Sequence, residues 1–264
     1  MGAHEFLKGY TGKSHVVLTR RGNAAILLAL KIAKHLGKTK VVVQDQGGWI
    51  TYLQYPERLK MELVRIPTNY GVIDPNVLSK YLDKSSVLLV NSLSGYFAEQ
   101  PMALLFAICR QKGALCINDA SGSLGTFLAK SGDLIIGSFG EDKPVEVGYG
   151  GFLAYGLLEF STSLIDDADF DSSKLSLLEK ELKGLPAKLK ILQRQSEIIK
   201  KDLAGMDLLH PESKGINVVV KCDALQKERV IKYCAQHGLE HTDCPRYIRA
   251  NVEGVSVEVK RIRI

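Results

Sequence analysis

Residues 118–151 read NDASGSLGTFLAKSGDLIIGSFGEDKPVEVGYGG, with an aspartate ending one apolar run, ALCIND at 114–119, and a lysine following the next, DLIIGSF at 133–139. Short continuous apolar runs are strands buried on both faces, so Asp119 and Lys143 stand at the mouths of two successive strands of a covered sheet. A carboxylate in that position must be solvated, paired or otherwise compensated.

The same pattern repeats upstream, in HVVLT (15–19), KVVVQ (40–44), ELVRI (62–66) and SVLLVNS (86–92). Helical stretches separate most of these runs: GNAAILLALKIAKHLG (22–37), DPNVLSKYLD (74–83) with its aspartate cap and following proline, and QPMALLFAICRQKG (100–113). GGFLAY (150–155) comes too soon for a crossover helix and is predicted to run antiparallel. The predicted class is α/β, a seven-stranded mostly parallel sheet covered by helices.

From about residue 156 the pattern changes to a long helical region at 173–204, punctuated by GLP at 184–186. Strand INVVVKC, helix ALQKERVIKYCAQHG and strands near 246–251 and 255–263 follow, the KRIRI tail suiting a strand with one wet face. The expected organisation is a large domain over 1–160, then a long helix with a small C-terminal α+β domain over 161–264.

Lys and Arg number 35 against 29 Asp and Glu, for a net charge of +6, but the excess forms no run. The densest cluster, at 180–201, interleaves acids with apolar residues at helical spacing and reads as a solvated helix face, not a nucleic-acid surface. No run approaches the ~18 apolar residues of a membrane span, and the N-terminus lacks the apolar core of a signal peptide. Five cysteines, an odd number without CxxC spacing, indicate a reducing, cytoplasmic compartment. His237, His241 and Cys244 are close in sequence but match no zinc module, so no metal is expected.

In open parallel sheets ligands bind outside the carboxyl ends of the strands. Five features of this chain fall there. Gly22, Asn23 and Ala24 open a helix with small side chains, a candidate phosphate turn. Trp49, the one tryptophan, sits in the glycine-flanked loop QGGW as core filler or as a platform for a flat ligand. Asn91 and Ser92 follow the fourth strand, as substrate-binding groups or as a polar turn. Asp119 ends the fifth strand, while Ser138 and Lys143 follow the sixth. A cationic heteroaromatic ring with a phosphate needs an anion at its ring nitrogen, an aromatic over its face, N–H groups with a hydroxyl for its phosphate, and an amine for its aldehyde. Asp119, Trp49, Gly22 to Ala24 with Ser138, and Lys143 supply these, and the ligand so described is pyridoxal phosphate.

The motifs RRGNAA, GGW, DASG and SFGEDKPVEVGYGG, in that order, resemble the large domain of fold type I pyridoxal-phosphate enzymes, most of all the DegT/StrS sugar aminotransferases. The resemblance covers residues 15–155, and the spacing of Ser138 and Lys143 is its most specific element. It implies an aminotransferase acting on an amino or keto compound. Lys143 then forms the Schiff base and shuttles a proton on the substrate Cα, while Asp119 keeps the pyridine nitrogen protonated. Trp49 stacks, and Ser138 with the backbone at Gly22 and Asn23 holds the phosphate. It further implies a homodimer whose active sites are each completed by the partner subunit.

The chain departs from that pattern at Gly122, where the family usually has histidine or glutamine, at Gly140, often histidine, and in GNAA, which lacks a hydroxyl. It is also shorter than its relatives. NDASGSLG and NAAILLAL resemble selenocysteine-synthase-like and cysteine-desulfurase-like branches as well. A catalytically silent homologue serving as a dimeric binding module is the rival from another class, and a nucleotide binder using RGNAA would leave Lys143 without a role. Arg246 and Arg249, in CPRYIRA, are read as binding a substrate carboxylate or as basic residues on a wet strand face.

Overall fold

The computed structural model describes residues 2–165 and 169–263. In chain order it contains α1 (Ala3–Thr11), β1 (His15–Thr19), α2 (Gly22–His35), β2 (Lys40–Gln44), α3 (Thr51–Arg58), β3 (Glu62–Ile66), α4 (Pro75–Leu78) and β4 (Ser86–Asn91). A small hairpin, β5 (Leu93–Ser94) and β6 (Ala98–Glu99), precedes α5 (Met102–Gln111), β7 (Leu115–Asp119), β8 (Leu134–Ser138) and β9 (Gly151–Tyr155). The rest comprises α6 (Leu175–Asp202), β10 (Asp207–Leu208), β11 (Val218–Lys221), α7 (Ala224–Gln236), β12 (His241–Cys244) and β13 (Gly254–Val257).

Seven strands form the main sheet in the order β1-β9-β8-β7-β4-β2-β3. As expected from the short loop before it, β9 is antiparallel to both neighbours, β1 and β8, and the other pairs are parallel. One face buries Ala25, Leu28, Ala29 and Ile32 of α2 against Val41, Leu89, Ile117 and Ile136. Alternate strand residues face the other way, where Leu88, Val90 and Cys116 meet Leu105 and Cys109 of α5. Both faces are therefore covered, and the middle residues of the central strands are apolar, as in VVV of β2 and VLLV of β4.

The second sheet, β10-β11-β13-β12, is antiparallel throughout and packs its apolar side with Val230 and Cys234 of α7 and with Leu192 and Ile199 of α6. The basic 180–201 segment lies on α6, whose Leu178, Leu182, Leu185, Leu189 and Leu192 form a buried stripe at helical spacing, leaving the charges on the other faces.

Three expectations are corrected. α6 runs unbroken through Pro186. A proline cannot donate to the carbonyl four residues back, and here the Tyr10 hydroxyl on α1 donates to the Leu182 carbonyl at 2.8 Å in its place. The segment 246–251 is not a strand: Arg249 N–H donates to the Arg246 carbonyl and Arg246 N–H to the Ala250 carbonyl, closing the turn between β12 and β13. The tail is not a strand either. Val259–Arg261 form a 3-10 turn, because Lys260 and Arg261 reach acidic and carbonyl partners across the chain. The sequence pattern also gave no notice of α1, which packs Ala3 and Leu7 beside the leucines of α6.

A candidate cofactor and substrate site at the carboxyl edge

The carboxyl ends of β4, β7 and β8, the N-terminus of α2 and the loop after β2 surround a cavity of about 220 Å³. Of the residues singled out from sequence, it is lined by Gly22, Trp49, Asn91, Asp119, Ser138, Lys143 and Arg249. Sequence positions more than two hundred residues apart thus meet at the edge where parallel sheets bind ligands.

Asp119 is buried at the end of β7. Its Oδ2 accepts from the Tyr52 hydroxyl at 2.6 Å and its Oδ1 from the Ser121 N–H at 2.9 Å. Tyr52 is fully enclosed in α3, and burial, followed by the Asp119 charge and hydrogen bond, drives its hydroxyl well above the usual phenol range. Tyr52 therefore stays a donor and orients the carboxylate towards the cavity.

Gly22 opens α2, whose N-terminus no side chain caps. A Cβ at Gly22 would lie 2.6 Å from Ser138 Cβ and 2.9 Å from Ser138 Oγ, so only glycine lets the helix end come this close to the hydroxyl at the end of β8. Ser138 Oγ accepts from the Gly140 N–H at 3.2 Å. Trp49 donates from Nε1 to Asn23 Oδ1 at 2.8 Å, which ties the indole to the same helix end.

Lys143 projects from the loop between β8 and β9. Its Nζ lies 5.6 Å from the Trp49 ring centroid and 5.2 Å from that of Tyr96. Burial acts to lower its pKa, but Tyr96 and the Asp119 charge outweigh burial, and the net direction is upward. The loop is fastened just before it: Lys260 Nζ donates to the Asp142 carbonyl at 3.2 Å, and Arg261 Nε lies 2.9 Å from the Asp142 carboxylate.

Other residues singled out from sequence fall differently. Ala24 does not line the cavity, its N–H being used by the Arg21 carbonyl at 3.0 Å. Asn91 accepts from the Leu93 N–H and Ser92 is fully buried against Ser123 Oγ at 2.6 Å, so both build the turn that supports Asp119. Arg246 lines a separate groove beside His241 and Asp243. Arg249 reaches the cavity, but Nε and one terminal nitrogen are each held by Glu258 at 2.7 Å. Burial alone would raise the Glu258 pKa; the hydrogen bonds and charge of Arg249, with Lys260, hold it down at about 2. All five cysteines are buried and free, and among the described residues no three His, Cys, Asp or Glu side chains converge as a metal site. No helix among them is long and apolar enough to cross a membrane.

Sequence reasoning missed Tyr52, Tyr96 and the pairing of Arg249 with Glu258 beside Lys260. Nothing in the local pattern of TYLQYPER or LSGYF distinguishes these tyrosines from core filler.

A mainly parallel seven-stranded sheet with lysine, aspartate and an uncapped helix end at its carboxyl edge defines the class: the fold is that of the aminotransferases. The DegT/DnrJ/EryC1/StrS aminotransferase family model matches residues 4–156, more than half of the chain, and the chain belongs to that family. The model of the MJ1341 family C-terminal domain matches residues 186–264. Comparison with curated proteins found no match. Among solved structures, 3-amino-5-hydroxybenzoic acid synthase superposes with a TM-score of 0.74 at 14% identity, covering 98% of this chain and 84% of its own. A DegT DnrJ EryC1 StrS aminotransferase from Brucella abortus gives 0.74 at 13%, covering 97% and 83%. A sugar aminotransferase from Streptococcus pneumoniae, solved in a PLP form, gives 0.72 at 14%, covering 97% and 85%.

Proposed function

We propose that this protein is a pyridoxal-phosphate-dependent aminotransferase in which Lys143 is the Schiff-base lysine. The observation that carries the reading is the placement of Lys143 and Asp119 in one cavity with the uncapped end of α2. Family membership and the PLP form of the S. pneumoniae neighbour support the same cofactor. When bound, pyridoxal phosphate supplies an electrophilic carbonyl and a ring that takes up the electron pair left at the substrate Cα. The residues of this chain fit it. The Gly22 and Asn23 end of α2 with Ser138 would hold the phosphate, Trp49 would cover the ring face, and Asp119 would hold a proton at the ring nitrogen. Once the substrate amine has displaced it, the free Lys143 amine would take the proton from the substrate Cα and deliver it to the former aldehyde carbon of the cofactor, across the intervening nitrogen. A large domain over 1–160, a long helix with a small C-terminal domain over 161–264, and a homodimer belong to the same proposal; one family model ends at residue 156 and the other begins at 186.

Borohydride treatment of the protein with pyridoxal phosphate, followed by peptide mass spectrometry, is expected to place a pyridoxyl group on Lys143 and to leave Lys143→Ala unlabelled. If wild type traps nothing, the enzyme reading fails and the chain is a binding module of the same fold. A second expectation concerns the phosphate end. Gly22→Ala forces its new Cβ against Ser138 and is expected to weaken cofactor affinity about tenfold, near 1.4 kcal/mol, measured by absorbance titration with the fold checked by circular dichroism.

A further inference from the structure

We propose that Tyr96 is a positioning residue of this site, its hydroxyl being the hydrogen-bonding partner that holds and orients the Lys143 amine from the position left open at Gly122. The inference rests on the reading of Lys143 given above and extends it to a residue in the hairpin between β5 and β6.

Four observations converge on Tyr96. Its buried ring lines the cavity beside Lys143, whose Nζ lies 5.2 Å from the ring centroid. Its backbone sits at φ 69°, in the left-handed region that a bulky residue rarely occupies and that concentrates at functional sites. Two amides hold it there, Ile216 N–H at 2.8 Å and Asn217 N–H at 2.9 Å, both donating to the Tyr96 carbonyl. Finally, a Cβ at Gly122 would lie 2.8 Å from Cδ1 and 2.9 Å from Cε1 of the ring. The missing side chain at 122 is therefore the space that Tyr96 fills, so the glycine is part of the site instead of a loss from it.

The surroundings bias this pair. Arg249 Cζ and Lys260 Nζ lie 5.3 and 5.2 Å from the same ring centroid. Glu258 answers both cations, Asp142 lies 3.9 Å from Lys260, and Asp119 faces Lys143 across the cavity. A phenol oxygen accepts an N–H from Lys143 when the amine is protonated and donates its own hydrogen to the lone pair when it is not. It can thus hold the amine in line through both halves of a proton shuttle, with no net proton consumed.

The test uses the cofactor-free protein and the pH dependence of trace acetylation of Lys143 by acetic anhydride, read by peptide mass spectrometry. Tyr96→Phe is expected to lower the Lys143 midpoint by about one unit, because burial then acts with less opposition. Gly122→Ala, which pushes the ring away while keeping the hydroxyl, is expected to move it the same way. Lys260, on the same ring, is the internal reference. In the loaded enzyme Tyr96→Phe is expected to lower kcat roughly 10- to 100-fold with KM little changed. An unmoved Lys143 midpoint in Tyr96→Phe overturns the proposal, as do equal shifts of Lys143 and Lys260. If wild type traps no cofactor yet both variants shift Lys143 alone, the pairing stands and the aminotransferase reading falls. If the cofactor is trapped and nothing shifts, the reverse holds.

Discussion

Asp119→Asn is expected to lower kcat/KM by roughly two to three orders of magnitude, with a smaller effect on cofactor content than Lys143→Ala. The carboxylate lies at the end of a buried strand, where an anion persists only if donors or a cation answer it. Two donors are supplied by the chain, Tyr52 at 2.6 Å and the Ser121 amide at 2.9 Å, and the remaining lone pairs face the cavity. In the proposed enzyme the cation is the protonated ring nitrogen, and the negative charge of Asp119 keeps that proton in place while the Cα–H bond breaks. Asparagine keeps the shape and removes the charge. It also offers one acceptor oxygen where two donors converge, so either Tyr52 or the Ser121 amide loses its partner, at a stability cost of about 1–3 kcal/mol. Steady-state kinetics beside thermal melting separate the two effects. A kcat/KM that falls only in proportion to the loss of folded protein would show that Asp119 is a structural cap for the turn after β7.

What the sequence made legible is the part of this arrangement that depends on local pattern. The main strands were readable because each is a short apolar run with a polar stop, and β9 could be turned antiparallel because its connection is too short for a helix. Asp119, Ser138, Trp49 and Gly22 followed from the rule that such stops share one edge. Side chains whose meaning lies in distant partners were not readable. Pro186 looked like a break until Tyr10, 172 residues before its acceptor Leu182, was seen to donate. Lys260 looked like the wet side of a strand, yet it is buried and reaches Asp142, 118 residues away. Arg249 looked like a ligand for a substrate carboxylate or a basic residue on a wet strand face, and its partner Glu258 lies only nine residues on. That pairing was still hidden, because the turn that aligns them was read as a strand. Gly122 was read as a missing contact because Tyr96 belongs to a separate hairpin that its own sequence does not announce.

Glu258→Ala is expected to destabilise the folded chain by about 3–5 kcal/mol, a fall in melting temperature on the order of 10 °C for a chain of this size. Glu258 is fully buried, bonds Arg249 twice at 2.7 Å, accepts from Asn217 Nδ2 at 3.1 Å and lies 3.6 Å from Lys260 Nζ. Removing it leaves two enclosed cations without their shared counter-charge, and Lys260, already held at about 8 mainly by burial, then has more reason to shed its proton. The pH dependence carries a sign that can be checked. A carboxyl lowered from 4.5 to about 2 on folding stabilises the chain above pH 4.5, and that contribution is lost as pH falls through about 2. The unfolded chain binds the extra proton in this window, so stability rises with pH there, by about 3 kcal/mol in all. Urea midpoints measured from pH 2 to 6 are expected to rise for wild type and to rise less for Glu258→Gln. A double variant, Glu258→Leu with Arg249→Met, is expected to be more stable than Glu258→Ala alone, because it removes the stranded charge along with its partner. Parallel wild-type and Glu258→Gln curves would mean that the ion pair contributes nothing net. The link to function is the Asp142 carbonyl: Lys260, held between Glu258 and that oxygen, fastens the loop one residue before Lys143. Loss of Glu258 is therefore expected to loosen the reactive amine as well as the small sheet, and to slow borohydride trapping at Lys143 at temperatures where the variant is still folded.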